Sequence, residues 1–337
     1  MKAIVLVGGF GTRLRPLTLS TPKQMLPVVN RPMIERVVEN LAAGGVTDAV
    51  LSLGYRPDAF IDRYPNGVCA GVRLHYAVEP APLDTAGAIR FAALHARLDE
   101  TFVVLNGDVL TDLDLTEVIA MHRDRGAEAT IVLTPVEDPS RYGVVPTDDN
   151  GLVLGFIEKP PRDQAPTNWI NAGTYVFEPS VIDRIPGGRK VSIERETFPA
   201  LVLDHTLYAM RSNVYWVDAG TPATYLEVNL DLLDGKRGAP ESGIDSRTSI
   251  AATAKVLRSV IGSGATIGAD AEIIDSVVMS GVRINPRAVV RDSIVGVGVT
   301  IGGGASVTAL SVIGDGETVE PGASLEGARL PSSNGES

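Results

Sequence analysis

Cysteine is nearly missing: Cys69 stands alone among 337 residues, which excludes an internal disulfide framework and any zinc site built from several thiolates. A reducing compartment fits that count. Histidine is scarce, with four residues in the chain, and His75, His95, His122 and His205 all precede residue 250. Only six of the 30 basic residues are lysine, so arginine is this chain's usual cation and Lys23 and Lys159 stand out. No apolar run is long enough to cross a bilayer, and residues 1–7 are too short an apolar stretch for a signal peptide. The expectation is a cytoplasmic chain with no membrane partner. Basic surplus is absent too: 41 acidic against 30 basic side chains leave a net charge of -11 and a pI near 4.9. That excludes a general nucleic-acid-binding surface, which needs clustered Lys and Arg.

What remains is a globular composition, 44% hydrophobic and 21% charged, of a size for about two domains. Residues 3–7, 49–53, 102–105 and 129–134 are short apolar runs bounded by Gly, Asp or Asn. Between them, residues 33–43, 86–98 and 115–125 carry helical periodicity. This βαβ rhythm predicts an α/β fold, a Rossmann-like doubly wound mixed sheet whose ligands bind at strand carboxyl ends. A last helix starts with Thr221 as N-cap and Pro222 at its first position, and presents Leu226, Leu230 and Leu233 on one face.

Beyond residue 240 the period changes. Ile261, Ile267 and Ile273 are six apart, and so are Val295, Ile301, Val307, Ile313, Val319 and Leu325. Alanine falls four places after several of these. Such phase predicts a left-handed parallel β-helix of hexapeptide repeats, three to a coil and about four coils in all. The expected domains are residues 1–233 (the α/β domain), 234–249 (linker), 250–328 (β-helix) and 329–337 (a flexible tail). The open ends of such a helix make a homo-oligomer the expected assembly.

Directly after the first strand comes Gly8-Gly9-Phe10-Gly11-Thr12-Arg13-Leu14-Arg15-Pro16-Leu17, then Thr21-Pro22-Lys23-Gln24. Glycines there let backbone N–H groups approach a phosphate chain. The run matches neither the dinucleotide fingerprint, since Leu14 occupies the third glycine's place, nor a P-loop. A plain turn explains the glycines equally well, but not two arginines and a lysine in one loop aimed at a ligand crevice. Asp108 and Asp218 each follow an apolar strand; they read either as a metal-holding pair or as a turn aspartate and a residue leading into a helix. Glu158-Lys159, taken by itself, reads by default as a surface ion pair.

The glycine-rich run with Pro22-Lys23 resembles the signature of the sugar-1-phosphate nucleotidyltransferases, and the wording of the whole chain is most similar to the mannose-1-phosphate guanylyltransferase (GDP-mannose pyrophosphorylase) type. The resemblance runs on through residues 79–88, Asn106-Gly107-Asp108, Tyr142-Gly143-Val144-Val145, Glu158-Lys159-Pro160, Asn171-Ala172-Gly173, Ser192-Ile193-Glu194-Arg195-Glu196, Trp216-Val217-Asp218-Ala219-Gly220 and the hexapeptide tail. It implies attack of a sugar 1-phosphate on the α-phosphorus of a nucleoside triphosphate, with GTP and mannose 1-phosphate as the favoured pair and GDP-mannose and pyrophosphate as products. Arg13 and Lys23 would then be catalytic, with Asp108 and Asp218 holding Mg2+. Gly8, Gly9, Gly11, Thr12, Arg13, Glu79, Gly87 and Asn106 would bind nucleotide; Gly143, Glu158, Lys159, Asn171 and Gly173 would bind the sugar phosphate.

Two positions depart from that pattern. Gln24 replaces a proline and is similar to the Lys-Gln of glucose-1-phosphate thymidylyltransferases. Asp84 stands where glycine is usual. A heptose or cyclitol phosphate such as valienol 1-phosphate, a thymidylyl or uridylyl reaction, and a non-catalytic nucleotide-sugar-binding paralogue therefore stay open. A hexapeptide acyltransferase would lack its base, because every histidine precedes the solenoid.

Overall fold

The computed structural model describes residues 1–331; most of the expected tail, 332–337, lies outside the described residues. The chain divides into two compact units, Met1–Gly9 with Ile34–Trp216, and Phe10–Met33 with everything from Val217 onward. The glycine-rich run is thus divided: Gly8 and Gly9 belong to the first unit, and Phe10 onward to the second.

In the first unit the strands of five or more residues are β1 (Lys2–Leu6), β2 (Asp48–Leu53), β3 (Val72–Val78), β4 (Phe102–Asn106), β5 (Ala129–Pro135), β6 (Trp169–Phe177) and β7 (Leu207–Arg211). Their order across the sheet is β3-β2-β1-β4-β6-β5-β7. Strands β3, β2, β1 and β4 run parallel. Strand β6 enters antiparallel between β4 and β5, which makes the sheet mixed as expected. β2 is buried at all six positions, as a central strand covered on both faces must be. Helices α1 (Met33–Ala43), α2 (Asp84–His95) and α3 (Leu115–Arg125) follow the periodic stretches. Asp114 caps α3 by accepting from the Thr116 N–H, and Gly126 ends it in the left-handed region, the usual chemistry of the two ends. The core beneath is aromatic: Tyr175, Phe177, Phe198 and Phe102 are fully buried, in stacked and edge-to-face contacts.

In the second unit α4 (Pro222–Leu233) begins at Thr221 with a capping box. After it come three parallel sheets of five strands each, the parallel β-helix of the left-handed hexapeptide type, one coil longer than expected. The period also differs. Partners on successive coils are 17 residues apart, as in Thr266↔Arg283 and Val277↔Ile294, except at three pairings of 18 that share one extra residue: Ile294↔Val312, Thr300↔Thr318 and Ser306↔Ser324. Two sides of a coil hold six residues and the third holds five, so Val278 follows Ile273 by five places.

The short side turns at a left-handed residue followed by a buried serine: Arg258-Ser259, Asp275-Ser276 and Asp292-Ser293. These serines form a ladder. Ser276 Oγ donates to Ile274 O (2.7 Å) and accepts from the Ser293 N–H (3.2 Å), and Ser259 does the same for Ser276. Each satisfies a corner N–H that no sheet reaches. Among the described residues no helix is long and apolar enough to cross a membrane.

Candidate active site

At the carboxyl end of β1, Gly8 meets the Glu79 side chain that follows β3. A Cβ on Gly8 would stand 3.0 Å from Glu79 Oε1, so glycine lets this carboxylate lie close without being pushed aside. The carboxylate accepts from Ser52 Oγ (3.1 Å) and from the Leu83 N–H (3.1 Å). Burial nonetheless raises the Glu79 pKa above the ordinary carboxylate value, those two hydrogen bonds opposing it. Gly9 has open space around its Cα. Gly87 differs: its N–H is spent on Val191 O at 3.2 Å, and the glycine serves instead the close packing of α2 against Leu83.

Asn106 is the last residue of β4 and lies against Gly173, where a Cβ would sit 2.5 Å from Asn106 Nδ2. Gly173 has φ +73° and lies in a register break of β6 between Asn171 and Tyr175. The break re-aims Asn171, whose side chain donates to Tyr175 Oη (2.9 Å) and accepts from the Gly173 N–H (2.9 Å). Gly143 pairs across the sheet with Glu158. Lys159 takes a left-handed φ of 50°, and its Nζ lies 2.9 Å from Glu158 Oε1. The ion pair read from sequence is present, in a backbone conformation that an exposed strand end does not require. Asp108 stands half-buried in the turn between β4 and Val109–Thr111.

The remaining expected residues belong to the second unit. Gly11 has φ +62°, and a Cβ there would touch Thr18 Cγ2 (3.0 Å) and Lys23 Cβ (3.3 Å). Thr18 Oγ1 donates to Gly11 O at 2.8 Å. Leu14 and Leu17 are fully buried, anchoring a loop that presents Thr12 and Arg13 to solvent. Asp218 ends the strand Trp216–Asp218 instead of following it. An Arg13 guanidinium nitrogen lies 4.0 Å from its carboxylate.

Four residues were not assigned roles from sequence. The Glu194 carboxyl is raised chiefly by burial, with Glu158 and Asp84 pushing the same way against hydrogen bonds from Ser192 and its own backbone. Its sequence signal is a Ser-x-Glu in a run otherwise without a role. Trp216 donates from Nε1 to Ala172 O (2.9 Å) and packs edge-on against Tyr142, buttressing the Asn171–Gly173 segment. Asp84 has φ +63°, which explains why glycine suits this position: the backbone is left-handed, and aspartate is among the few residues that tolerate it. Gln24 is 2% exposed and its amide oxygen has no hydrogen-bond partner.

The family model described as nucleotidyl transferase matches residues 2–235, and that described as GMPPB C-terminal domain matches residues 239–333. The mannose-1-phosphate guanylyltransferase of Mycobacterium tuberculosis is 44% identical over 240 residues, 71% of this chain and 66% of that protein. The mannose-1-phosphate guanyltransferase of Gibberella zeae is 45% identical over 232 residues, 67% of this chain and 62% of its own. The chain thus spans less than two thirds of the length of either relative. The crystal structure of HddC from Yersinia pseudotuberculosis is 30% identical with a TM-score of 0.59, covering 68% of this chain and 97% of that one.

Proposed function

Because the chain belongs to the nucleotidyl transferase family, we propose that it joins GTP and mannose 1-phosphate into GDP-mannose with release of pyrophosphate. Catalysis is assigned to residues 1–233 with the solenoid at 250–328, linked by 234–249. The observation that carries the reading is the loop geometry: the left-handed Gly11, packed between Thr18 and Lys23, brings two cations, Arg13 and Lys23, to the same loop. The relatives' names support guanine and mannose.

The nucleophile is a sugar phosphate already ionised near neutral pH, since its second pKa is about 6. No general base is needed, and the protein's task is positioning and charge neutralisation. Lys23 neutralises the α-phosphate and Arg13 holds the leaving pyrophosphate. Gly8 and Gly9 offer backbone to the nucleotide, and the Glu79 carboxylate is an acceptor suited to the two N–H donors on guanine's edge. Glu158 and Asn171 take sugar hydroxyls, while Lys159 is the point charge for the sugar phosphate.

Asp108 and Asp218 would hold Mg2+. Their donors are hard oxygens, and among the described residues no group of three or more His, Cys, Asp or Glu forms a cage. That suits a cation that accepts one or two carboxylates and completes its shell with phosphate and water. Bound there, it would neutralise charge on the triphosphate. Assembly into a homo-oligomer through the terminal coils belongs to the same reading, with sedimentation as its check, and a cytoplasmic setting agrees with the single buried thiol.

The test is pyrophosphate release with Mg2+, crossing GTP, dTTP, UTP, ATP and CTP against mannose 1-phosphate, glucose 1-phosphate and a cyclitol phosphate. GTP with mannose 1-phosphate is the expected dominant pair. A dTTP and glucose 1-phosphate preference would overturn it. Binding of a nucleotide sugar with no turnover of any pair would replace it with the regulatory reading.

A further inference from the structure

The nucleotide loop is tied to the solenoid at both ends. At its far end, Asn30 Nδ2 donates to Gly243 O (2.9 Å) and Ile261 O (3.3 Å), while the Val29 N–H reaches Asn229 Oδ1 on α4 at 2.8 Å. At its near end Pro16 is packed on Gly314, where a Cβ would stand 3.0 Å from Pro16 Cβ. The Ser20 hydroxyl donates to Asp315 Oδ2, and the other oxygen of Asp315 accepts from the Val297 N–H at 2.8 Å. Ile261 and Ile313 occupy the same place on coils three steps apart. Residues 16–30 therefore run along one edge of the solenoid for about 14 Å, at roughly 4.8 Å per coil.

Pro16 and Ser20 lie between the two cations of the loop, three residues after Arg13 and three before Lys23. Whatever fixes Pro16 and Ser20 fixes the separation of those cations. The Gly314-Asp315 corner does this with three fixed points: the proline ring on a glycine that has no side chain to spare, the serine hydroxyl, and a carboxylate itself held by the next coil inward.

We propose that Gly314-Asp315 is a positioning element for the nucleotide loop, setting the spacing of Arg13 and Lys23 so that the solenoid bears on turnover. The inference rests on the nucleotidyltransferase reading for its kinetic consequence, and on the loop contacts alone for its mechanical one.

The experiment compares the full-length wild-type chain with Asp315→Ala, Asp315→Asn and Ser20→Ala, by steady-state kinetics and by hydrogen exchange of the ligand-free protein. Misplacing a reacting or charge-neutralising group by an ångström costs up to about a hundredfold in rate. Asp315→Ala should therefore lose about tenfold in kcat, with KM for mannose 1-phosphate unchanged and exchange raised over residues 16–26 but not in the solenoid strands. Asp315→Asn keeps an acceptor for Val297 and offers an amide to Ser20, and should recover most of the loss. If Asp315→Ala does not fold, Ser20→Ala carries the same expectation. Unchanged kcat and unchanged loop exchange would overturn the proposal, as would equal losses in the Ala and Asn variants. A wild-type chain that turns over no substrate pair would remove the functional reading, and the exchange data alone would then decide whether the corner restrains the loop.

Discussion

Arg13 and Asp218 meet over Gly220: a guanidinium nitrogen of Arg13 lies 4.0 Å from an Asp218 carboxylate oxygen, and a Cβ on Gly220 would stand 2.6 Å from an atom of each. Two expected functional groups thus share a floor with no side chain. Gly220→Ala should displace both and lower kcat by about one to two orders of magnitude, while the melting temperature stays near wild type. Arg13→Ala should cost about 3 kcal/mol of transition-state stabilisation. Steady-state kinetics against pyrophosphate release checks both; a wild-type kcat in Gly220→Ala would show that the space over Gly220 is not used.

Asp84 offers a second test, because its left-handed backbone sets the cost of each replacement. Asp84→Gly removes that strain of about 1 kcal/mol but adds a comparable loss of unfolded-chain entropy, so stability should change little. Asp84→Val should destabilise clearly, a β-branched residue being poorly tolerated at φ +63°. Urea midpoints of the three proteins measure the difference.

His122 is 1% exposed, with Nδ1 on Thr130 Oγ1 (2.9 Å) and Nε2 on Glu178 Oε1 (3.0 Å). Burial lowers its pKa, the Glu178 carboxylate opposing and Arg123 assisting. The folded protein therefore binds fewer protons at this site than the unfolded chain, whose histidine titrates near about 6.5. Stability should fall as pH drops through that value, with a slope of at most about 1.4 kcal/mol per pH unit from this residue. Urea midpoints at successive pH values from neutral to mildly acidic should show the slope in wild type and its loss in His122→Gln.

The serine ladder gives a prediction confined to stability. Ser276→Ala leaves the buried Ser293 N–H without its acceptor and should cost about 1–3 kcal/mol. Calorimetry on the variant should record that loss while kcat and KM stay at wild-type values.

Local signals made much of this fold legible. The helices over residues 33–43 and 115–125 follow directly from periodicity, and Thr221-Pro222 marks the start of α4 because the cap chemistry is written in adjacent residues. Long-range pairing left weaker traces. Nothing near Trp169 announces that β6 inserts antiparallel between β4 and β5, since its register is set by partners far along the chain, such as Leu105 for Thr174 and Pro135 for Trp169. The hexad of Ile261, Ile267 and Ile273 is plain, but the five-residue side is marked only by its corners, Arg258-Ser259, Asp275-Ser276 and Asp292-Ser293, whose left-handed backbone no hydrophobic period announces. At the site, Gly8, Gly143 and Gly173 stand out in the sequence, but the side chains that crowd them, Glu79, Phe156 and Asn106, are brought there only by the fold. Glu194 does not stand out, because its character comes from burial, nor does the union of residues 10–33 with the solenoid, because Pro16 and Gly314 meet only in three dimensions.

That strap of residues 16–30 also bears on how such a solenoid can change in length. Its two anchor points lie three coils apart, and the chain between them has a fixed number of residues. A 17-residue coil inserted between Ile261 and Ile313 would pull the anchors about 4.8 Å further apart and force the tight turns at Leu17–Leu19 and Lys23–Met25 to open. A coil added after Leu330 would leave it untouched. A coil gained between the anchors therefore costs the loop its folded turns, whereas one gained beyond Leu330 costs it nothing.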